Sequence, residues 1–278
     1  MKLSSRILIN GKVKRFGDIY NLFSKTGYGM ILSQRIRWSI YKPQEMSHTA
    51  WEQLIGPDAN NLKHLLVSYR LTQLFLLKQK EYSKKEQELL LFTAIVHDWG
   101  EPVVGDTMRY VKTARDDKKE LEVLVKIMKD VFYGKLNRRL EKAVLSILSN
   151  KTTKLGEAFR VIEVIGYFKT GFLAWQKAKK KTGRITRQLR WLTSNVLHAD
   201  MDFLVEKASK YRFISDFLDE NRPLITEAFE SMPDLVFSMH PLKKQAFYYR
   251  KFQSTKKSWR DYNKRFYGTR TKTITGAR

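Results

Sequence analysis

The stretch Phe92-Thr-Ala-Ile-Val-His-Asp-Trp-Gly-Glu-Pro-Val-Val-Gly-Asp106 decides how the rest of the chain is read. Residues 89–96 are apolar but for Thr93, and four ionisable side chains follow in short order: His97, Asp98, Glu101 and Asp106. A helix that apolar belongs in an interior, and charges at its end are costly unless they are paired or bind a metal. The economical reading is a metal site built at the helix terminus. Neighbouring residues inside a helix point about 100° apart, so the helix is expected to unwind at its end and let His97 and Asp98 converge.

Working outward, Ser83 and Glu86 have capping-box spacing, so this helix should start near Ser83 and expire near Asp98, ahead of Gly100 and Pro102. Upstream, Leu62, Leu65, Leu66, Tyr69, Leu71, Leu74 and Phe75 recur at three- and four-residue spacing. His64 lies on that helix and is the natural third ligand, although alone it would read as a satisfied core histidine. Further amphipathic helices are expected over 116–131, 135–149, 157–180, 186–209 and 223–232, with loops at Tyr133-Gly134, Thr182-Gly183 and 221–223. Near the start, Asn10-Gly11 between short β-branched runs predicts a two-stranded hairpin. The fold class that follows is all-α: a helical bundle with a small N-terminal hairpin and extra C-terminal helices.

Composition narrows the chemistry. The chain of 278 residues has 42% hydrophobic and 13% aromatic residues, which excludes a mainly disordered protein. It has no cysteine, so any metal must be held by His, Asp or Glu, and the cytoplasm is the default location. No apolar run approaches the roughly 20 residues that span a bilayer. The basic N-terminal residues lack a secretory pattern, and the hairpin reading is preferred there to a targeting peptide. Fifty-three Lys and Arg against twenty-eight Asp and Glu leave a net charge of +25, which attracts polyanions of some kind.

The arrangement of His64, His97-Asp98, Glu101 and Asp106 resembles the H…HD…D pattern of the HD-domain metal-dependent phosphohydrolases. Residues 96–112 are similar to the branch containing bacterial 5'-deoxynucleotidases, and the likeness extends over about residues 37–175. The resemblance implies an HD-domain helical core at 29–210, preceded by an extension at 1–28 and followed by a basic aromatic extension and tail at 211–278. It implies a divalent cation (Mn, Co, Mg or Zn) held by His64, His97, Asp98 and a later acid. That acid is Glu163, where the family has Asp; Asp200, judged to lie on an ordinary surface face, ranks below it. Glu101 and Asp106 are then the non-ligand catalytic carboxylates, although a helix cap or salt bridge explains Glu101 equally well. Arg37 and Trp38 match a substrate-binding pair, with an insertion near 46–60 separating them from His64. Lys112 or Arg109 would add phosphate contacts.

The implied activity is release of phosphate from 5'-(deoxy)nucleoside monophosphates. Alternatives are a nuclease or nucleoside triphosphate hydrolase on the same fold, or a degenerate HD domain that binds nucleic acid. Nucleic acid would be met by residues 177–190, with seven basic residues and no acid, and 243–278, with twelve against the single Asp261. The aromatics of the latter segment read first as a core stripe, and 268–278 as a flexible tail. Family analogy also implies a homo-oligomer. His48, His198 and His240 are read as structural.

Overall fold

Ser83 starts the central helix as its spacing predicts. Its hydroxyl accepts from the Glu86 amide while Glu86 returns to the Ser83 amide, and the helix runs over Lys84–Val96. In this computed structural model, which describes residues 6–9, 12–105, 113–134, 136–232, 237–238 and 240–267, the chain is all-α apart from one hairpin. Strands β1 (Arg6–Ile9) and β2 (Lys12–Arg15) pair antiparallel, with Ile9 opposite Lys12, so two residues connect them as the Asn-Gly signal requires.

The helices in order are α1 (Phe16–Ser24), α2 (Gly27–Gln34), α3 (His48–Ile55), α4 (Asn61–Lys78), α5 (Lys84–Val96), α6 (Glu101–Val104), α7 (Ala114–Val131) and α8 (Arg138–Ser149). They continue with α9 (Lys154–Ala178), α10 (Gly183–Lys207), α11 (Arg212–Glu220), α12 (Arg222–Ser231) and α13 (Leu242–Tyr267). The segment expected as an insertion contains α3 and a 3-10 turn at Pro57–Ala59. Periodicity alone missed α1, α2, α3 and α11, because short helices offer too few turns for a 3.6-residue pattern to stand out.

The chain divides into two compact units, Met1–Ser39 with His48–Gly166, and Ile40–Ser47 with Tyr167–Arg278. The division falls within the long helix α9, where no loop signal marks it.

In the first unit α5 is buried almost all round from Leu90 to Trp99, with Leu90, Leu91, Phe92, Ala94 and Val96 fully enclosed. It packs against α4, α8 and α1. Phe23 of α1 stacks on Trp99 at 4.2 Å between ring centroids, and each such ring contributes about 1.5–3 kcal/mol by leaving water. This packing fixes the C-terminal end of α5 in the interior.

The second unit is organised around α10 and α13, which pack together. Tyr248, Phe252, Trp259 and Tyr262 form the buried stripe of α13, so the core reading of those aromatics holds for four rings. Phe247, Tyr249 and Phe266 remain exposed. Tyr41, from the 40–47 segment, is held by Asn195 Nδ2 at 2.8 Å and by the Trp191 ring. Residues 268–278 lie outside the described residues. Among the described residues no helix is long and apolar enough to cross a membrane.

Candidate metal centre

Three buried side chains, His64, His97 and Asp98, offer ligand atoms that all lie within 4.8 Å of one another, a group able to hold a metal ion. Two helices deliver them. His64 sits in the first turn of α4, whose N-cap Asn60 accepts from the Lys63 amide. His97 caps α5, and Asp98 follows it.

The two residues converge by a different route from the expected unwinding. His97 keeps right-handed helical dihedrals, and the chain then tightens: the Trp99 amide donates to Val96 O at 3.0 Å and the Glu101 amide to Asp98 O at 3.1 Å. A three-residue turn eclipses side chains at i and i+3 and sets neighbours about 120° apart, so it is the reach of the Asp98 side chain, whose Oδ1 lies 3.2 Å from His97 Nε2, that closes the pair.

Both imidazoles have one nitrogen committed. His64 Nδ1 is 2.5 Å from Asp58 Oδ1, and His97 Nδ1 is 3.1 Å from Ala94 O. Because a carbonyl and a carboxylate only accept, each Nδ1 carries the proton and each Nε2 presents a lone pair. Those Nε2 atoms face each other at 3.1 Å. Asp98 Oδ1 lies 3.2 Å from His97 Nε2 and Oδ2 lies 3.5 Å from His64 Nε2. Asp98 Oδ2 is buried and accepts no hydrogen bond. Two lone pairs and a carboxylate converging this closely repel unless a cation lies among them, and the donor set therefore fits a divalent metal.

Burial works against a charged His97, yet the Asp98 carboxylate raises its pKa, with a smaller push from Glu163. Burial would raise Asp98, but His97 and His64 hold it well below the usual carboxylate range. His64 goes the other way, lowered by burial and by the Arg37 guanidinium despite Asp58.

Asp58 was not found from sequence. It belongs to the Pro57–Ala59 turn, which follows Gly56 at φ +90°, a conformation that favours glycine. The only signal was the Gly-Pro-Asp turn composition six residues before His64. Asp58 is itself held by Arg37 Nη1 at 3.2 Å and by Trp38 Nε1 at 3.4 Å. Trp38 adopts φ +62°, a left-handed backbone that is strained for a bulky side chain. Arg37 and Trp38 thus act on His64 through Asp58, and Arg37 also places a positive charge beside the group.

Glu101 opens α6 and is buried, accepting from Asn61 Nδ2 at 2.5 Å. Its carboxylate clusters with those of Asp98 and Glu120, all within 4.8 Å. Glu120, on α7, was also missed. It reaches the cluster because Gly100 has no side chain: a Cβ there would lie 2.7 Å from Glu120 O and 3.0 Å from its Cγ.

Glu163 on α9 is outside the three-residue group. It is partly exposed, pairs with Lys151 at 3.6 Å and reaches His97 only through its charge. Asp200 is buried on α10 in the other unit, not on a surface face; its neighbour Asp202 is exposed. Asp106, Arg109 and Lys112 lie outside the described residues.

The remaining histidines occupy non-metal surroundings. His48 opens α3, and His198 Nδ1 donates to Ser194 O at 2.8 Å. His240 Nε2 accepts from Trp191 Nε1 at 3.2 Å and stacks on Tyr248. Comparison of the chain with protein-family models, with curated proteins and with solved structures finds no match.

Proposed function

We propose that the protein is a metal-dependent phosphohydrolase of the HD type acting on nucleotides, and that its simplest reaction releases phosphate from 5'-(deoxy)nucleoside monophosphates. The observation that carries this reading is the pair of Nε2 atoms facing each other at 3.1 Å beside Asp98, whose buried Oδ2 accepts no hydrogen bond, each imidazole oriented through its other nitrogen.

A divalent cation held there would neutralise phosphate charge and polarise the phosphoryl group. The chain's own residues supply the rest. His64 is locked as an Nε2 ligand by Asp58, which Arg37 and Trp38 keep in place. Arg37 adds a fixed cation near the substrate phosphate. Glu101 is buried within the carboxylate cluster, where it can orient a nucleophilic water and take its proton. The roles of Asp106 as acid to the leaving sugar oxygen and of Lys112 as a phosphate contact complete the proposal. Glu163 enters as a modulator of His97 through its charge.

The test is phosphate release from ribo- and deoxynucleoside mono-, di- and triphosphates with Mg²⁺, Mn²⁺, Co²⁺ and Zn²⁺, comparing wild type with Asp98→Ala. Metal-dependent turnover that the variant loses supports the proposal, and the preferred phosphate length names the substrate. Silence across the panel, or full activity in the variant, overturns it.

A second reading, action on or binding of a polynucleotide, is favoured by one observation. On α13, Lys243, Lys244, Arg250, Lys264 and Arg265 make no ion pair among the described residues, and exposed Phe247, Tyr249 and Phe266 lie on the same helix. Polynucleotide affinity that falls steeply with salt would favour this reading, because such contacts release counterions.

A further inference from the structure

We propose that Lys151 binds the phosphoryl group of the substrate, and that its counter-ion Glu163 makes the site select phosphomonoester dianions over singly charged phosphodiesters. The proposal rests on the reading of His64, His97 and Asp98 as a metal centre, and it names the residue that would share the phosphate with the metal.

Lys151 lies beside that group. Its Nζ stands 5.6 Å from the centroid of the Phe159 ring, within the range of a cation–π contact, and the buried Phe159 ring meets the His97 ring edge-on at 5.4 Å between centroids. One aromatic side chain thus touches both the ammonium and the imidazole. Glu163 Oε2 is 3.6 Å from Lys151 Nζ, and the charge of Glu163 is felt at His97, so the ion pair flanks the same imidazole.

The lysine has donors to spare. An ammonium carries three N–H groups. The Glu163 contact at 3.6 Å is too long for a hydrogen bond, and the remaining contact of Lys151 among the described residues is the Phe159 ring. Its side chain is 35% exposed, so it meets both solvent and the buried group. Arg37, also beside the group, is placed differently: its side chain is 11% exposed and it is committed to Asp58 at 3.2 Å.

The backbone fixes where Lys151 starts. Asn150 ends α8, and its Oδ1 accepts from the Thr152 amide at 3.1 Å and from the Thr152 hydroxyl at 2.7 Å. Gly156 lets the first turn of α9 close on this bend, since a Cβ there would collide with Asn150 O. From that anchored Cα the flexible four-carbon stem supplies the reach.

Selection follows from charge. A phosphate that takes the place of Glu163 at Lys151 must outcompete a carboxylate of one negative charge. A monoester dianion carries two charges and three terminal oxygens, enough to meet the metal and the ammonium together. A diester carries one charge and gains little over the carboxylate it displaces.

The experiment is calorimetric titration of Mn²⁺-loaded full-length protein with methyl phosphate and dimethyl phosphate at pH 8, with Mn²⁺ affinity measured alongside by electron paramagnetic resonance. Wild type should prefer methyl phosphate. Lys151→Ala should weaken methyl phosphate about 10–100-fold, as loss of a charge-assisted hydrogen bond does, with dimethyl phosphate and Mn²⁺ affinity nearly unchanged. Lys151→Arg should restore most of the loss, and Glu163→Gln should tighten dimethyl phosphate and narrow the preference. Unchanged methyl phosphate binding in Lys151→Ala, or equal loss of both probes, overturns the proposal. Loss of Mn²⁺ from Lys151→Ala or Glu163→Gln also overturns it, making the pair part of the metal site or its frame. Mn²⁺ that wild type binds and Asp98→Ala loses keeps the metal centre standing through any of these failures, whereas no Mn²⁺ in wild type overturns the metal centre and the role of Lys151 with it.

Discussion

The protein contains two pairs of buried histidines, and only one of them resembles a metal centre. His64 and His97 in the first unit are 4% and 5% exposed; His198 and His240 in the second are each 4% exposed. Burial therefore does not separate them. The partners do. In the first pair Asp58 and Asp98 supply negative charge at 2.5–3.5 Å, and the Nε2 atoms face one another at 3.1 Å, with Ser68 Oγ 3.2 Å from that of His64. In the second pair the polar contacts are a backbone carbonyl and an indole N–H, and the nearest ionic influences are Lys251 and Lys244. Burial and these cations push His198 down to about 3 and His240 to about 4. Carboxylates make one pair a place for a cation; lysines make the other a neutral packing unit.

The sharpest way to break this contrast is at its charged member. His97→Ala or Asp98→Ala should abolish metal loading and reduce phosphate release to background, whereas His240→Gln should leave metal content unchanged; elemental analysis and a phosphate assay check both. Equal metal loss from the two sets would erase the distinction.

A smaller effect is expected one step removed from the metal. Asp58→Asn preserves shape but removes the charge that orients His64, so metal affinity should fall about 10–100-fold. Titration with Zn²⁺ by calorimetry measures it, and an unchanged affinity would show that Asp58 serves only Arg37 and Trp38.

The neutral pair predicts a pH signature of its own. Both histidines titrate lower in the folded protein than in the unfolded chain, so the unfolded state binds more protons as acidity rises. Their stabilising contribution is complete above about pH 6.5 and is lost as pH falls toward 4 and 3. Urea melts of wild type and a His198→Gln, His240→Gln double variant should diverge in slope with pH over that window. Parallel profiles would contradict the assignment.

The smallest effect belongs to the chain's end. Deleting residues 268–278 should leave turnover of a small nucleotide nearly unchanged, while any polynucleotide affinity should weaken.

Much of the site was legible because its residues are close in sequence and chemically conspicuous. His97, Asp98 and Glu101 stand at the end of an apolar run, and His64 stands out on an apolar helix. Asp58 and Glu120 were not legible. One depends on a turn that folds back beneath α4, and the other on the close approach of α7 that Gly100 permits. Glu163 stands where the resemblance assigns a ligand; its place outside the group, with Lys151, depends on where α9 packs. The fold class followed from periodicity, but the division of α9 between two units has no local signal.

Sequence by itself determined the helical character, the hairpin, the start and end of α5 and the residue types available for metal chemistry, because caps, turns and periodicity act over a few neighbouring residues. Only the tertiary structure decided which acids join the histidines and which histidines stay neutral. Those choices turn on distances of 3–5 Å between residues far apart in the chain, and only helix packing sets such distances.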